Sequence, residues 1–231
     1  MTPPNCSSEK YSAASASKKR AFFRFSFLAF SSILAETANT PENREYIRII
    51  EDNNYLLLQL INDILDLSRI EAGLLNFCYT DIDINSCIRK LEDTSRLRMP
   101  ANVKCIAEFG MKRCYIHTEQ NRLMQVLGNY VSNAIKYTYK GSITIGYYPP
   151  EDGKIRFYVR DTGCGISQDK QQAIFQRFVK LDNFKQGTGL GLSICQMIAE
   201  KMHATVGVSS ELSKGSEFWI EIPYQPIRTI Y

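Results

Sequence analysis

Histidine is almost missing from this chain: only His117 and His203 occur among 231 residues, far apart and with no metal-ligand pattern near either. Both read as structural or surface residues, which leaves no histidine-built metal centre. The seven cysteines never form CxxC, are odd in number and are dispersed from Cys6 to Cys195. That spacing argues against a disulfide framework or a zinc knuckle and points to reduced thiols in a cytoplasmic protein. No long basic block exists either, since the net charge is +4 with Lys and Arg spread along the chain, so nucleic acid is not an expected partner. An apolar run of the ~20 residues that a membrane helix needs is also absent. The nearest approach, Lys18 to Ala35, begins basic like a signal peptide, but Arg24 interrupts it, and a packed or partner-binding helix fits better. Finally, there is no GxxxxGK[ST] loop, so any nucleotide must be held by a different arrangement.

What is present supports a buried core: 44% of the residues are hydrophobic, enough for one domain of ordinary size and a smaller appendage. Residues 1–17 are rich in Ser, Ala and Pro and read as a disordered lead-in. A long helix is expected from Pro41, because Thr40 can cap it, Pro41 suits its first position and Glu42 and Glu45 favour its N-terminus. Within it Ile47, Ile50, Asn54, Leu57, Ile61, Ile64 and Ser68 recur in steps of three and four, widened by Leu58 and Leu65. That is the spacing of a helical bundle or coiled coil, with Asn54 able to fix register. Beyond Gly73, strands are expected at 75–84, 103–109, 114–117, 141–148, 154–160, 205–209 and 217–222, with helices at 84–99 and 190–202 and a further one from Asn121. The strands cluster in hairpin-like pairs, so the expected class is α/β, a mixed sheet covered by helices on one face in a two-layer sandwich.

The helix at Asn121 to Thr138 carries the chemistry. At about 100° per residue, Arg122, Gln125, Asn129, Asn133 and Lys136 fall in an arc of about 80°, while Leu123, Val126, Leu127, Tyr130, Val131, Ala134 and Ile135 share another. A solvated face is usually filled with Lys and Glu. Two amides and a cation one turn apart instead suit a metal ion and phosphate oxygens. Further boxes follow in order: DTGCGI with Asp161, Gly163 and Gly165; FQRF at Phe175 to Phe178; GTGLGLSI with Gly187, Thr188, Gly189, Leu190 and Gly191; and GSEFWIEIP ending at Pro223. Each is weak alone. Five in fixed order resemble the ATP-binding catalytic domain of sensor histidine kinases, within the gyrase, chaperone and MutL ATPase superfamily, over about Asn43 to Pro223.

The resemblance implies ATP and Mg2+ as cofactors. Asp161 takes the position that accepts from the adenine amine, Asn129 the position that meets magnesium, Asn133 a phosphate position and Lys136 one that neutralises phosphate charge. Gln125 matches a position where some relatives carry an acid; an amide cannot be a general base, which leaves it an orienting role. By the same resemblance Arg177 and Lys180 fall in the segment that forms the mobile lid in relatives, where Arg177 is expected to reach the terminal phosphate and Phe175 and Phe178 to anchor the lid by packing. The glycines allow close backbone approach to phosphate, at the start of a helix whose free N–H groups favour anions. On this basis residues 18–73 are a remnant dimerisation hairpin, with LINDILDLSRIEAG as the exit of its second helix, 74–224 the catalytic domain and 225–231 a tail.

One part of the family pattern is missing. The acceptor histidine belongs in a segment resembling SHEIRTPL, but here the chain runs Phe27-Leu28-Ala29-Phe30-Ser31-Ser32, as if an internal deletion had removed it. Self-phosphorylation is therefore not expected, and the partners implied are a response regulator, an intact histidine kinase, or a second copy of the chain. Two other classes remain: a nucleotide-binding regulator that transfers no phosphate, favoured by the missing acceptor, and a serine kinase of the anti-sigma type, which shares the ATP fold but leaves LSRIEAG unexplained.

Overall fold

A computed structural model describes residues 40–75, 77–180 and 187–227. The segment Lys18 to Ala35, with the Phe27 to Ser32 stretch where the acceptor segment was expected, lies outside the described residues. The chain divides into two compact units, 1–62 and 63–231.

In the first unit the described residues belong to helix α1, Pro41–Glu71, which continues into the second. Thr40 caps it as expected, its hydroxyl accepting from Asn43 N at 3.2 Å. The three-and-four stripe is largely open, with Ile50, Leu57, Ile61 and Ile64 all exposed. The last turns differ. Ile70 is buried, and Asp63 to Glu71 belong to the second unit.

The second unit is built on a five-stranded sheet. After α1 come β1 (Thr80–Asp83), α2 (Ile84–Arg96), β2 (Val103–Glu108), β3 (Tyr115–Thr118) and α3 (Gln120–Tyr137). Then follow β4 (Gly141–Tyr147), β5 (Lys154–Asp161), two short 3-10 turns at Gln168–Lys170 and Ala173–Phe175, α4 (Gly191–Lys201), β6 (Thr205–Glu211) and β7 (Gly215–Pro223). The sheet order is β2-β4-β5-β7-β6, with β2 and β4 parallel and the other neighbours antiparallel. The mixed α/β sandwich anticipated from the hairpin-like pairs is the observed architecture.

Strand alternation decides which side chains meet the helices. Ile155, Phe157 and Val159 of β5 face the same way as Ile220 and Ile222 of β7, and all are buried. By the same parity Asp161, two residues beyond Val159, lies on the covered face. On the other face Arg156 stacks over Trp219 at 4.4 Å and Arg160 over Tyr158 at 4.8 Å, with Arg156 paired to Glu221 and Arg160 to Glu217. Helix α3 seats Leu123, Val126, Leu127, Tyr130, Val131 and Ala134 in the core. Each large aliphatic buried this way contributes about 1.5–3 kcal/mol.

β1 and β3 form a separate two-stranded sheet. Residues 225–227 run along the other edge of β3: His117 N donates to Gln225 O at 3.0 Å, Pro226 bridges Ile116 and Ile227 N donates to Tyr115 O at 3.2 Å, which pairs backbone groups that β1 does not reach.

Thiol chemistry gives a direct check on this packing. Cys78 and Cys164 are exposed, whereas Cys87, Cys114 and Cys195 are buried. Burial pushes the Cys105 thiol up to about 11 and the Cys195 thiol up to about 12. Alkylation at about pH 8, mapped by mass spectrometry, is expected to modify Cys78 and Cys164 quickly and to leave Cys195 untouched until the protein unfolds. Native labelling of Cys195 would mean that α4 is not seated against the core.

Candidate functional site

The polar arc of α3 emerges at one end of the sheet because its opposite arc is fixed in the core. Glu119 caps the helix by accepting from Arg122 N. Asn129, Asn133 and Lys136 are half-buried, between core and water. At the C-terminal end of α3, Thr138 meets Asp161 from β5. The Asp161 carboxyl is raised above its ordinary range, first by burial, although the Gly163 and Ser216 N–H groups and the Thr138 hydroxyl lower it. Its Oδ1 accepts from Gly163 N at 2.8 Å, which folds the DTG turn onto α3. Gly165 has φ +69°, and a Cβ there would fall 2.0 Å from the Glu211 carbonyl oxygen, so only glycine fits this turn.

The glycine turn comes to the same helix face. A Cβ placed on Gly187 would lie 3.2 Å from Lys136 Nζ, and one on Gly191 would lie 3.7 Å from the Asn129 amide. Gly189 takes φ +73° and packs on the Phe178 backbone, where Phe178 N donates to Gly189 O at 2.9 Å. Leu190 N donates to the Thr188 hydroxyl at 3.2 Å, and among the described residues no side chain caps the α4 N-terminus. The Lys136 ammonium is lowered from its usual range mainly by burial, opposed by Asp63 and reinforced by Lys180.

Several site residues are tied to the end of α1, which the sequence did not reveal. Thr188 Oγ1 donates to Asp63 Oδ2 at 2.6 Å. Gln125 is held at both ends of its amide, accepting from Arg122 Nη1 and donating to Asp66 Oδ2, each at 2.8 Å. Arg177 Nη2 pairs with Glu71 Oε1 at 2.7 Å and approaches Met197 Sδ at 3.8 Å. Burial chiefly raises the Asp63 carboxyl; Thr188 and Lys136 lower it and Asp66 raises it. The two lid phenylalanines part company. Phe175 meets the Phe218 ring edge-on at 6.5 Å, but Phe178 is 66% exposed and anchors nothing with its ring. Its φ of +62° turns the side chain outward while its backbone holds Gly189.

Comparison with known proteins places this geometry. Residues 118–226 match the family described as histidine kinase-, DNA gyrase B- and HSP90-like ATPase, and residues 26–73 match the His Kinase A (phospho-acceptor) domain. The nucleotide-free catalytic domain of the histidine kinase ThkA is 30% identical, with a TM-score of 0.55, over 64% of this chain and 96% of that one. The chain belongs to the sensor histidine kinase family. Full-length ShkA in complex with AMPPNP is similar over 92% of this histidine kinase chain and 46% of its own, at 29% identity and a TM-score of 0.75. The autoinducer 2 sensor kinase/phosphatase LuxQ of Vibrio vulnificus is 32% identical over 212 residues, which is 86% of this chain and 24% of LuxQ. The chain thus spans about a quarter of the length of the curated sensor kinases it matches. The phospho-acceptor match contains no histidine, because His117 and His203 both lie outside 26–73.

Whether these residues suit a magnesium nucleotide can be tested on the donor set. The described residues contain no cluster of three or more His, Cys, Asp or Glu able to hold a metal ion by themselves. What they do offer is the Asn129 carboxamide and, two turns further along α3, the half-buried Lys136 ammonium, which suits an ion that takes most of its oxygens from phosphate and water. The residues fit the group.

Proposed function

We propose that this chain is the ATP-binding catalytic module of a two-component sensor histidine kinase, acting in the cytoplasm on a histidine carried by another chain. The support is the convergence of Asn129 and Lys136 from α3, Asp161 from β5 and the Gly187-to-Gly191 turn, all inside the ATPase match. In this reading the Asp161 carboxylate accepts from the adenine amine, Lys136 and the α4 N–H groups hold phosphate oxygens, and Asn133 completes the phosphate end. Asn129 would hold magnesium through its amide oxygen, and the ion would supply neutralisation of phosphate charge there. Catalysis then rests on positioning and electrostatics rather than on covalent participation of the protein. Calorimetry is expected to find magnesium-dependent ATP binding that Asn129→Ala weakens severely; no heat of binding with the intact chain would end this reading.

Residues 18–73 serve here as a remnant dimerisation hairpin and 74–224 as the catalytic domain. The open stripe of Ile50, Leu57, Ile61 and Ile64 on α1 is the seam for a second copy or for an intact kinase, and the response regulator is the downstream partner. Among the described residues no helix is long and apolar enough to cross a membrane.

A second reading, a regulator that binds nucleotide and partners without transferring phosphate, is favoured by a phospho-acceptor match that holds no histidine. Both readings share one expectation. The Asp63 carboxylate takes the Thr188 hydroxyl and attracts Lys136, two groups a phosphate would use. Asp63→Ala should therefore tighten ATP by about fivefold, the worth of about 1 kcal/mol for a net hydrogen bond. Unchanged or weaker affinity in calorimetry would show that Asp63 does not compete with phosphate.

A further inference from the structure

A carboxamide is nearly symmetrical in shape, yet its two ends are chemical opposites: the oxygen can serve a hard cation, and the NH2 group only donates. A half-turn of the Asn129 amide would present the wrong end to a metal while filling the same space. Something besides α3 must therefore choose between the two.

We infer that Cys195 is a positioning residue which, together with the Gly191 carbonyl, fixes the Asn129 amide with its oxygen toward the phosphate end. The inference rests on the reading of Asn129 as the residue that meets magnesium. Asn129 Nδ2 donates to Gly191 O at 3.3 Å and to Cys195 Sγ at 3.4 Å. Gly191 and Cys195 stand one turn apart on α4, so both acceptors lie on the helix face turned to α3. The two N–H bonds of one NH2 group thus have two acceptors, and Oδ1 takes part in neither bond. Turned the other way, Oδ1 would meet a carbonyl oxygen that can only accept, a repulsive contact.

The chemistry of the thiol suits this task. Cys195 is buried in the first turns of α4, between Ile194 and Ile198 in the core. A buried cysteine packs as a small hydrophobe, and its sulfur lone pairs face the Asn129 amide at 3.4 Å. Valine would fill the space without an acceptor. Serine would keep an acceptor but, being smaller, would reach less far.

The test compares ATP affinity with magnesium and with EDTA, by calorimetry on the full chain. Cys195→Val should reduce the gain in affinity that magnesium brings by about threefold to fivefold. Metal-free ATP should bind within about twofold of wild type, since no phosphate or adenine contact is removed. Cys195→Ser should keep more of the magnesium gain than Cys195→Val, an ordering that a purely space-filling role would reverse. An undiminished magnesium gain in Cys195→Val would overturn the assignment. A second measurement needs neither nucleotide nor variant: the side-chain amide protons of Asn129, followed by NMR, should exchange slowly in the nucleotide-free chain. Exchange as fast as in an exposed asparagine would overturn the positioning role by itself. Loss of all ATP binding in the wild-type chain would instead sink the reading of the site, and the amide spectrum would then decide the role of Cys195.

Discussion

Asp161→Asn is expected to weaken ATP binding by about 30-fold to 200-fold, equivalent to about 2–3 kcal/mol for a hydrogen bond to a charged group. The substitution is nearly isosteric, so the effect comes from donors and acceptors alone. Asp161 already takes the Gly163 N–H at 2.8 Å and draws on the Ser216 N–H. A carboxylate has lone pairs at both oxygens for these and for an adenine amine. An amide has only one oxygen, the backbone N–H groups claim it, and its NH2 then confronts the NH2 of the base. Calorimetry that finds wild-type affinity in Asp161→Asn would remove Asp161 from the adenine contact.

The sign of the stability change is opposite. The folded pKa of Asp161 is raised above 3.8, mainly by burial, so the folded chain holds this proton more tightly than the unfolded chain. The stabilising contribution is full below the unfolded pKa and is lost as pH rises through the folded one. At neutral pH the ionised carboxylate is therefore a cost to the fold. Asp161→Asn should melt no lower than wild type, while wild-type ATP affinity should fall as acid protonates the carboxylate, beginning above the ordinary aspartate range.

The two faces of α3 were legible because they are local. A helix that sorts Asn129, Asn133 and Lys136 from Leu123, Val126 and Tyr130 shows its two faces in 18 consecutive residues. The strand expected at 154–160 runs one residue further, and its alternation carries Asp161 onto the face of Phe157 and Val159. What stayed hidden depends on chain segments far apart. Asp63 meets Thr188 across 125 positions and Asp66 meets Gln125 across 59. Acids in the last turns of an amphipathic helix look like ordinary solvated residues until the second unit closes around them. Gln125 shows the consequence: the sequence suggested an orienting amide, and the structure gives both ends of that amide protein partners, Arg122 and Asp66. Phe178 failed for a different reason. Its aromatic character suggested an anchor, but a positive φ of 62° sends the ring into solvent, and no sequence pattern announces that angle.

Incubated alone with γ-labelled ATP, the chain is expected to acquire no acid-labile phosphate, whereas an intact histidine kinase that pairs with it should be labelled in its presence. The first half follows from proximity. Effective molarity supplies about 7–11 kcal/mol of barrier lowering only when the reacting atoms sit about 3–3.5 Å apart. Neither histidine has a route to that position. His117 lies in β3, where its Nδ1 pairs with Asp81 Oδ1 at 2.7 Å, and His203 sits beyond the C-terminus of α4, exposed and at φ +54°. Label on either of them, lost in His117→Ala or His203→Ala, would overturn this expectation. The second half separates kinase from regulator. If Asn129, Lys136 and Asp161 hold ATP as proposed, a partner whose own Asn129-equivalent amide has been removed, but which keeps its acceptor histidine, can be labelled only from this chain's nucleotide. Transfer that disappears with Asn129→Ala on this side makes the module catalytic. ATP binding without any transfer leaves it a regulator, with the phosphate held where Lys136 and the glycine turn can keep it but no histidine can take it.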